Sequence, residues 1–426
     1  MFRLLCLIAV FQLVVSSTPA RYMKGLFDDV SIDDLFDEDY DEEAERAKQE
    51  AVDERIKAAI VKSTRDAGYP LETHSVVTDD GYILTVHRIP YAKSNRDVKN
   101  KPVVFLQHGL LSCSLHYTTQ GPGVAIAYLL AEEGYDVWLG NARGNSFSKD
   151  HVKLDPKKKD FWNFSWHEIG YYDLPAMIDY VLRNTGVSAL NYVGHSQGTT
   201  SFFVMTSLRP EYNAKIKAMH ALAPVAFMGN MDNPLMKILG PIVSKGTLLT
   251  NLIGSFEFMP STKLMGTIGK VFCKDGSIVQ GICSSVLFMI AGFSNENLNT
   301  TMLPEILQTT PAGASVNQLI HYAQEYVSYR FRQFDLGAIK NLLAYKFPTP
   351  PDYLLTKITA PIHLYYAGND WLTSVKDVKT LASKLRNVVY NKQVPHPKFN
   401  HFDFLWGLQV YDLVYSDLIA NIKKYT

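Results

Sequence analysis

The chain lacks a long hydrophobic run beyond its amino terminus, and this absence excludes a membrane-spanning protein. After residue 20 no apolar stretch reaches the roughly 20 residues that a transmembrane helix needs, since residues 286–293 form only a short one. The formal net charge is zero, and we expect no nucleic-acid partner. Hydrophobic residues make up 47% and charged residues 20% of 426, which is typical of a globular protein with a sizeable core.

Cysteine is also scarce, with four in the whole chain. Cys6 lies in the amino-terminal apolar stretch, and Cys273 and Cys283 are close enough in sequence for a short-loop disulfide in an oxidising compartment. Cys113 would then be unpaired, and we expect a small buried hydrophobic residue there rather than a reactive thiol.

The first 20 residues have the three parts of a secretory signal peptide. Arg3 gives a basic start, residues 4–15 are mostly apolar and residues 16–20 are small, which predicts cleavage between about residues 16 and 20. Glycosylation sequons begin at Asn163 and Asn299 and fit a secretory route. We therefore expect a protein that is secreted or delivered to the lysosomal lumen.

The zero net charge hides an acidic segment. Residues 28–54 contain 14 acidic residues against Arg46 and Lys48, so the rest of the chain carries an excess of basic residues. A segment with so much like charge buries too little apolar surface to fold, and we expect residues 21–62 to be mobile. Two interpretations remain open, a solubilising tail or a removable pro-segment that screens a basic, lipid-seeking surface.

Beyond residue 62 the pattern predicts an α/β fold with a mostly parallel central sheet. Short apolar runs alternate with helical patterns over residues 63–224, and again over residues 346–426. Between them, residues 225–345 show amphipathic helical stretches without a strand–helix repeat. We interpret this middle part as a helical cap with a lid, inserted into a two-part core.

The stretch around Ser196 predicts a nucleophile elbow. An apolar run at residues 189–193 has the character of a buried strand, residues 194–198 read Gly-His-Ser-Gln-Gly, and residues 199–208 read as a helix. A strand that turns at once into a helix strains the serine backbone, and side chains two residues away on either side would collide. The turn therefore presents the Ser196 hydroxyl beside the positive end of the helix.

A nucleophilic serine needs a base and an orienting acid, which follow it in this order in elbow hydrolases. Asp370 directly follows a predicted strand that ends near residue 366, whereas the alternative acid, Asp377, falls within the next helix. His401 lies in the loop after the last predicted strand, and the competing base, His396, sits between two prolines near the end of that strand. We take Asp370 and His401 as the acid and the base.

The reaction also needs two backbone N–H groups to stabilise the oxyanion of the tetrahedral intermediate. One should belong to Gln197, immediately after the nucleophile. The other should belong to Leu110, in the loop after the strand that ends at Gln107, where Gly109 permits a close approach. This chemistry calls for no metal or cofactor.

Several strings along the chain resemble the acid lipase family of α/β-hydrolases, which includes gastric and lysosomal acid lipases. They extend from about residue 68 to the carboxyl terminus and comprise residues 80–84, 108–110, 140–144, 172–176, 194–198, 311–315, 331–335, 369–372 and 400–407. The resemblance implies the same catalytic set, a cap disulfide between Cys273 and Cys283, and a mobile lid over an apolar pocket. It also implies hydrolysis of triacylglycerols or sterol esters.

Two features depart from the family pattern, and two other functions compete. Ala291 stands where vertebrate members carry a free cap cysteine, and the acidic segment at residues 28–54 has no clear counterpart. The first alternative function is a soluble carboxylesterase for short esters, and the second is a non-catalytic lipid carrier on the same fold. We expect a monomer that meets its lipid ester substrate at an emulsion or membrane interface.

Overall fold

The computed structural model describes residues 61–244, 256–258 and 297–426, together with five positions between residues 51 and 59. The predicted signal peptide, most of the acidic segment and the pair Cys273 and Cys283 lie outside the described residues. Within the part of the chain that the structure describes, no helix is long and apolar enough to cross a bilayer.

A nine-stranded sheet forms the centre of the molecule, in the order β1-β2-β4-β3-β6-β7-β10-β11, with β5 paired to β2. Its strands are β1 (Glu72–Val77), β2 (Tyr82–Ile89), β3 (Val103–Gln107), β4 (Asp136–Gly140), β5 (Asp150–His151), β6 (Leu190–His195), β7 (Ile216–Leu222), β10 (Ile362–Tyr366) and β11 (Val388–Gln393). A separate antiparallel pair joins β8 (Glu257–Phe258) to β9 (Ala314–Ser315). Along the spatial order β4-β3-β6-β7-β10-β11 every pairing is parallel. Strand β2, in contrast, runs antiparallel to β1, β4 and β5. The prediction of a mostly parallel sheet is confirmed.

Helices cover both faces of this sheet. Those of seven or more residues are α1 (Ile126–Glu132), α2 (Leu174–Thr185), α3 (Gln197–Leu208), α4 (Pro234–Val243), α5 (Leu303–Thr309), α6 (Val316–Ser328), α7 (Ala338–Tyr345), α8 (Val375–Lys384) and α9 (Ser416–Ile422). Alternate residues of β3 point into two different cores, since Phe105 joins one and Leu106 the other. Helices α2, α3 and α8 contribute to the first core, and α1 and α9 to the second.

Strand β7 was not anticipated from the sequence. It reads Ile-Lys-Ala-Met-His-Ala-Leu, with a charged residue and four further residues that favour helices. It nevertheless pairs in parallel with β6 and β10 in the middle of the sheet. Burial between two strands outweighs the weak local preference, and β7 supplies a backbone partner to the predicted nucleophile.

The region between Leu222 and Ile362 contributes no strand to the nine-stranded sheet among the described residues. It holds α4 to α7 and the small β8–β9 pair, and α4 packs against α6. The boundaries of a cap at residues 225 and 345 stay a prediction.

Candidate active site

The predicted site residues all follow the carboxyl ends of parallel strands. Ser196 comes directly after β6, Asp370 follows β10 and His401 follows β11. The loop with Gly109 and Leu110 follows β3, the neighbour of β6. Because these strands are parallel, their carboxyl ends lie at one edge of the sheet, where α/β folds place their binding sites.

Ser196 has the strained backbone that the elbow requires. Its φ is 52° and its ψ is −120°, a conformation that non-glycine residues rarely adopt. The strain is held in place because the Ser196 N–H donates to the carbonyl of Leu222 on β7 at 3.0 Å, and its own carbonyl accepts from the Thr199 N–H at 2.8 Å. Helix α3 begins at the next residue, so its positive end faces the serine.

The elbow needs glycine at residues 194 and 198, because backbone atoms of other residues lie too close to leave room for a side chain. A Cβ at Gly194 would lie 2.9 Å from the carbonyl carbon of Gly198, and a Cβ at Gly198 would lie 2.1 Å from the carbonyl oxygen of Gln107. Both contacts are shorter than side chains tolerate, and the neighbours are backbone atoms that cannot yield. The structure therefore bears out the prediction that side chains at residues 194 and 198 would collide with the backbone.

Asp370 and His401 form a buried hydrogen-bonded pair. Nδ1 of His401 lies 2.8 Å from Oδ2 of Asp370, and both side chains are almost fully buried. The carboxylate also accepts from the N–H groups of Leu372 and Thr373, each at 2.9 Å, and from the Thr373 hydroxyl. These bonds fix the carboxylate so that the His401 Nδ1 carries the proton, which leaves Nε2 free to accept one.

Asp377 and His396, the alternative acid and base, make hydrogen bonds to other parts of the chain. Asp377 lies in the first turn of α8, where its carboxylate accepts from the Asn230 N–H at 2.9 Å and from the Ser374 hydroxyl at 3.0 Å. His396 lies near the surface, and its Nδ1 accepts from the Lys398 N–H at 3.2 Å. Asp377 thus joins the segment at Asn230 to the first turn of α8, and the structure brings Asp370, not Asp377, to His401.

His195, the elbow residue before Ser196, links the elbow to the loop of the predicted base. Its Nε2 lies 3.1 Å from the backbone carbonyl of His401, and the two rings are 5.0 Å apart. Because a carbonyl only accepts, Nε2 carries the proton of a neutral ring. Burial lowers the pKa of His195 well below its usual value, and a charge on nearby His401 lowers it further. The contact places residue 401 against the residue that precedes Ser196.

The predicted oxyanion loop passes directly over the elbow. A Cβ on Gly109 would lie 2.9 Å from the Cβ of Ser196, so only glycine lets the chain pass at this distance. Leu110 follows as a half-buried residue, and Gln197 is buried at the start of α3. The backbones of Leu110 and Gln197 are placed next to Ser196, while their role as oxyanion donors remains a prediction.

A second buried histidine holds this loop. Nδ1 of His108 donates to the Gly109 carbonyl at 2.8 Å, and Nε2 accepts from the N–H of Ala142 and the amide of Asn145, each at 3.1 Å. Burial lowers the pKa of His108 to about 4, so the ring is neutral near pH 7. A charged ring could not accept those two bonds, and the loop geometry therefore depends on the neutral form.

Arg143 holds the turn after β4 in place through ion pairs. This buried guanidinium pairs with Asp80 at 2.6 Å and Asp173 at 2.6 Å, and it stacks over the ring of Tyr82 at 3.9 Å. Sequence reasoning assigned no role to Arg143, His108 or His195. Each lies within a string that carries the family resemblance, which is the signal that could have found them.

The structure also shows how exposed the two predicted glycosylation sites and the unpaired cysteine are. Asn163 is exposed, and Asn299 is half-buried with its side-chain oxygen accepting from the Thr301 hydroxyl at 2.6 Å. Cys113 is free and fully buried, as expected, and burial raises the pKa of its thiol to about 12. The glycosylation of either asparagine stays a prediction.

Comparison with known proteins adds independent information. Residues 60–121 match the family model described as "Partial alpha/beta-hydrolase lipase region", and residues 102–239 match "alpha/beta hydrolase fold". The chain is 48% identical to Lipase 3 of Drosophila melanogaster over 360 residues, which is 84% of this chain and 91% of that protein. It is 41% identical to gastric triacylglycerol lipase of Bos taurus over 359 residues, or 84% of this chain and 89% of that protein.

A solved structure shares the fold. A soluble variant of monoglyceride lipase from Saccharomyces cerevisiae, in complex with a substrate analog, matches with a TM-score of 0.50 at 13% identity, over 84% of this chain and 95% of that one. Identity this low supports the fold alone. The sequence relatives decide the family, since they are 48% and 41% identical over 84% of the chain. The protein thus belongs to the acid lipase family of α/β-hydrolases and is a carboxylic ester hydrolase of the lipase type.

Proposed function

We propose that this lipase hydrolyses the ester bonds of triacylglycerols or sterol esters through an acyl-enzyme on Ser196, with His401 as base and Asp370 as orienting acid. The observation that carries the proposal is the buried 2.8 Å hydrogen bond between Asp370 and His401, whose loop the His195 ring joins to the strained elbow at Ser196. The gastric triacylglycerol lipase of Bos taurus, at 41% identity, supports the substrate class. The predicted signal peptide supports a secreted or lysosomal setting.

In the first step the Ser196 oxygen attacks the ester carbonyl carbon while its proton moves to Nε2 of His401. The carbonyl oxygen becomes an oxyanion that the N–H groups of Gln197 and Leu110 stabilise. Asp370 accepts from Nδ1 and so stabilises the charged imidazolium. The carbon–oxygen bond to the alcohol then breaks, and His401 returns its proton to the leaving alkoxide.

In the second step water attacks the acyl-enzyme carbonyl and gives a proton to His401. The tetrahedral intermediate collapses, the bond to the Ser196 oxygen breaks, and that oxygen takes the proton back. The products are a fatty acid and the alcohol released in the first step. The chain's own side chains suffice for each proton transfer, so the proposed reaction uses no metal or cofactor.

Replacement of Ser196 tests the nucleophile. Ser196→Ala should lower kcat by about 10⁶-fold and abolish labelling by a serine-directed phosphonate, while circular dichroism shows an intact fold. The matched control is Ser201→Ala, because Ser201 is a buried serine one turn further along α3. Retained turnover in Ser196→Ala would mean a different nucleophile. A folded parent that neither turns over esters nor accepts the label would favour the lipid carrier.

The substrate class is tested by a matrix of chain length and pH. We expect faster hydrolysis of emulsified long-chain triacylglycerol or sterol ester than of a dissolved short-chain ester. Comparable or faster turnover of the dissolved ester, with no increase above its solubility limit, would favour the soluble carboxylesterase. Amino-terminal sequencing of the secreted chain would locate cleavage near residues 16–20 and show whether residues 21–62 are removed.

A further inference from the structure

The segment from Leu336 to Phe347, which contains α7, turns its apolar side chains outward. The exposed fractions of Ile339, Leu343 and Phe347 are 80%, 72% and 66%. Leu336 and Leu342 are also exposed, and these five residues are called the outer apolar surface below. A surface helix of a globular protein ordinarily presents its apolar stripe to the core, so this arrangement is inverted.

The inner side of the same helix is polar. Asn341 is fully buried, where its side-chain oxygen accepts from the Leu336 N–H at 2.9 Å and its amide donates to Asp335 at 2.7 Å and to the Pro348 carbonyl at 3.0 Å. The Tyr345 hydroxyl donates to the Phe334 carbonyl at 2.9 Å. These hydrogen bonds hold the helix against the chain segments on either side of it, and its large apolar residues remain available for another contact.

Within the segment itself the charged residues have one sign. Residues 336–347 include Lys340 and Lys346, both exposed, and no acidic residue. Lysine can lay its apolar stem along a nonpolar phase while its ammonium group stays at the polar boundary. An apolar surface with a cationic edge fits the boundary of an anionic lipid layer, and anionic headgroups attract such residues.

The outer apolar surface is also joined to the site through α6. The Tyr322 hydroxyl on α6 lies 3.1 Å from the Thr200 hydroxyl on α3, the helix that begins after Ser196. Further along α6, the Gln324 side chain accepts from the Asp335 N–H at 2.9 Å and donates to the Asp335 carbonyl at 2.9 Å. Asp335 in turn holds Asn341 of α7. A lipid layer bound at α7 would therefore have a fixed relation to the nucleophile.

From these observations we propose that the outer apolar surface docks the enzyme on an anionic lipid layer. Ile339, Leu343 and Phe347 enter the boundary between headgroups and acyl chains, and Lys340 and Lys346 contact the anionic groups. This inference rests on the proposed function, because it assigns an attachment surface to an enzyme whose substrate lies in a lipid phase. It is independent of the reaction at Ser196, and the test below keeps the two apart.

The experiment measures binding of the mature protein, carrying Ser196→Ala, to vesicles of phosphatidylcholine with about one third phosphatidylglycerol. The inactive background separates binding from hydrolysis, so failure of the proposed function would not alter this readout. The triple variant Ile339→Ser, Leu343→Ser, Phe347→Ser should bind at least about tenfold more weakly. The matched control is Val77→Ser, Val98→Ser, Val152→Ser, which alters three valines with exposed fractions of 56%, 56% and 55% and should bind within about twofold of the parent.

The charge and the identity of the occupant are tested separately. Lys340→Gln with Lys346→Gln should weaken binding to the anionic vesicles and leave the weaker binding to pure phosphatidylcholine unchanged. In the active protein, the triple apolar variant should lose rate on emulsified triacylglycerol and keep its rate on a dissolved short ester. Equal vesicle binding by the triple variant and the parent would overturn the proposal. So would a dimer of the parent that the triple variant abolishes, since a second copy would then be the occupant.

Discussion

The loops around the site and the segment from Leu336 to Phe347 depart from the usual distribution of residues in opposite directions. At the site, polar side chains such as Asp370 and His401 are buried at the end of a sheet. On α7, apolar side chains such as Ile339 and Leu343 are exposed to solvent, and the polar Asn341 is buried beneath them.

The difference has a physical meaning for each region. A buried polar group costs free energy unless it is hydrogen bonded, so the bonds at the site hold each group in one orientation and one protonation state. An exposed apolar group costs little in the folded monomer and gains free energy only when a second phase covers it. The first region is therefore built for fixed geometry, and the second is available for contact.

The largest expected effect comes from the buried pair at the site. Asp370→Asn replaces an acceptor with an amide that donates, which turns His401 to the tautomer that cannot accept the Ser196 proton. We expect kcat to fall about 10⁴-fold. Asp377→Asn is the matched control and should change kcat by less than about threefold. If Asp377→Asn proved the more damaging of the two in steady-state assays, the acid would be misassigned.

The next largest expected effect is a loss of folding stability at acid pH, which we attribute to buried histidines. Burial lowers the pKa of His87 and His108 to about 4, and that of His220 well below its usual value. A histidine with a lowered pKa contributes its full stability above pH 6.5 and loses it as pH falls toward its folded pKa. Each such residue reduces the free energy of unfolding by up to about 1.4 kcal/mol per pH unit in this window.

Urea unfolding at a series of pH values measures this loss. His220→Phe should give a shallower slope between pH 6.5 and pH 4, because neither ring nitrogen of His220 has a hydrogen-bond partner among the residues that the structure describes and the variant has no proton to gain. A stability that stays constant from pH 7 to pH 4 would contradict the prediction.

On α7 the polar residue should matter more for folding than the apolar ones. Asn341→Ala removes three partly buried hydrogen bonds and should lower the free energy of unfolding by about 2 kcal/mol. Leu343→Ser, at an exposed position, should change it by less than about 0.5 kcal/mol. Urea denaturation measures both. A larger loss for Leu343→Ser would show that the apolar residues belong to the core.

The smallest expected effect concerns His195, whose hydrogen bond to the loop of the base goes to the backbone carbonyl of His401. His195→Phe removes the bond to the His401 carbonyl and should lower kcat about tenfold with KM little changed. His195→Gln keeps a donor and should recover most of that loss. Steady-state kinetics across pH 5 to 9 separates the two variants. Identical kinetics for them would remove the positioning role.

Much of the fold and the site could be predicted from the sequence. The elbow is encoded locally, because only glycine at residues 194 and 198 permits the close backbone contacts beside Ser196. The order of Ser196, Asp370 and His401 along the chain, each after a predicted strand, follows from the strand–helix alternation. The family that their surrounding strings indicated is confirmed by the relatives.

Other features were hidden because they depend on contacts between distant residues. Strand β7 has weak local preference, and its pairing with β6 and β10 decides it. His195 and His401 are 206 residues apart, and nothing in the local pattern shows that one bonds to the other's backbone.

By itself the sequence determined the kind of chemistry, since local sterics of a Gly-x-Ser-x-Gly turn and the succession of strands place a serine, an acid and a base in order. Only the tertiary structure decided which acid meets His401, which histidines are buried and neutral, and which side of α7 faces outward. The pattern of that helix specifies two unlike faces, but their direction depends on Asp335 and Pro348, which bind Asn341 from outside the helix. Long-range hydrogen bonds settle such choices because they exist only after the chain has folded.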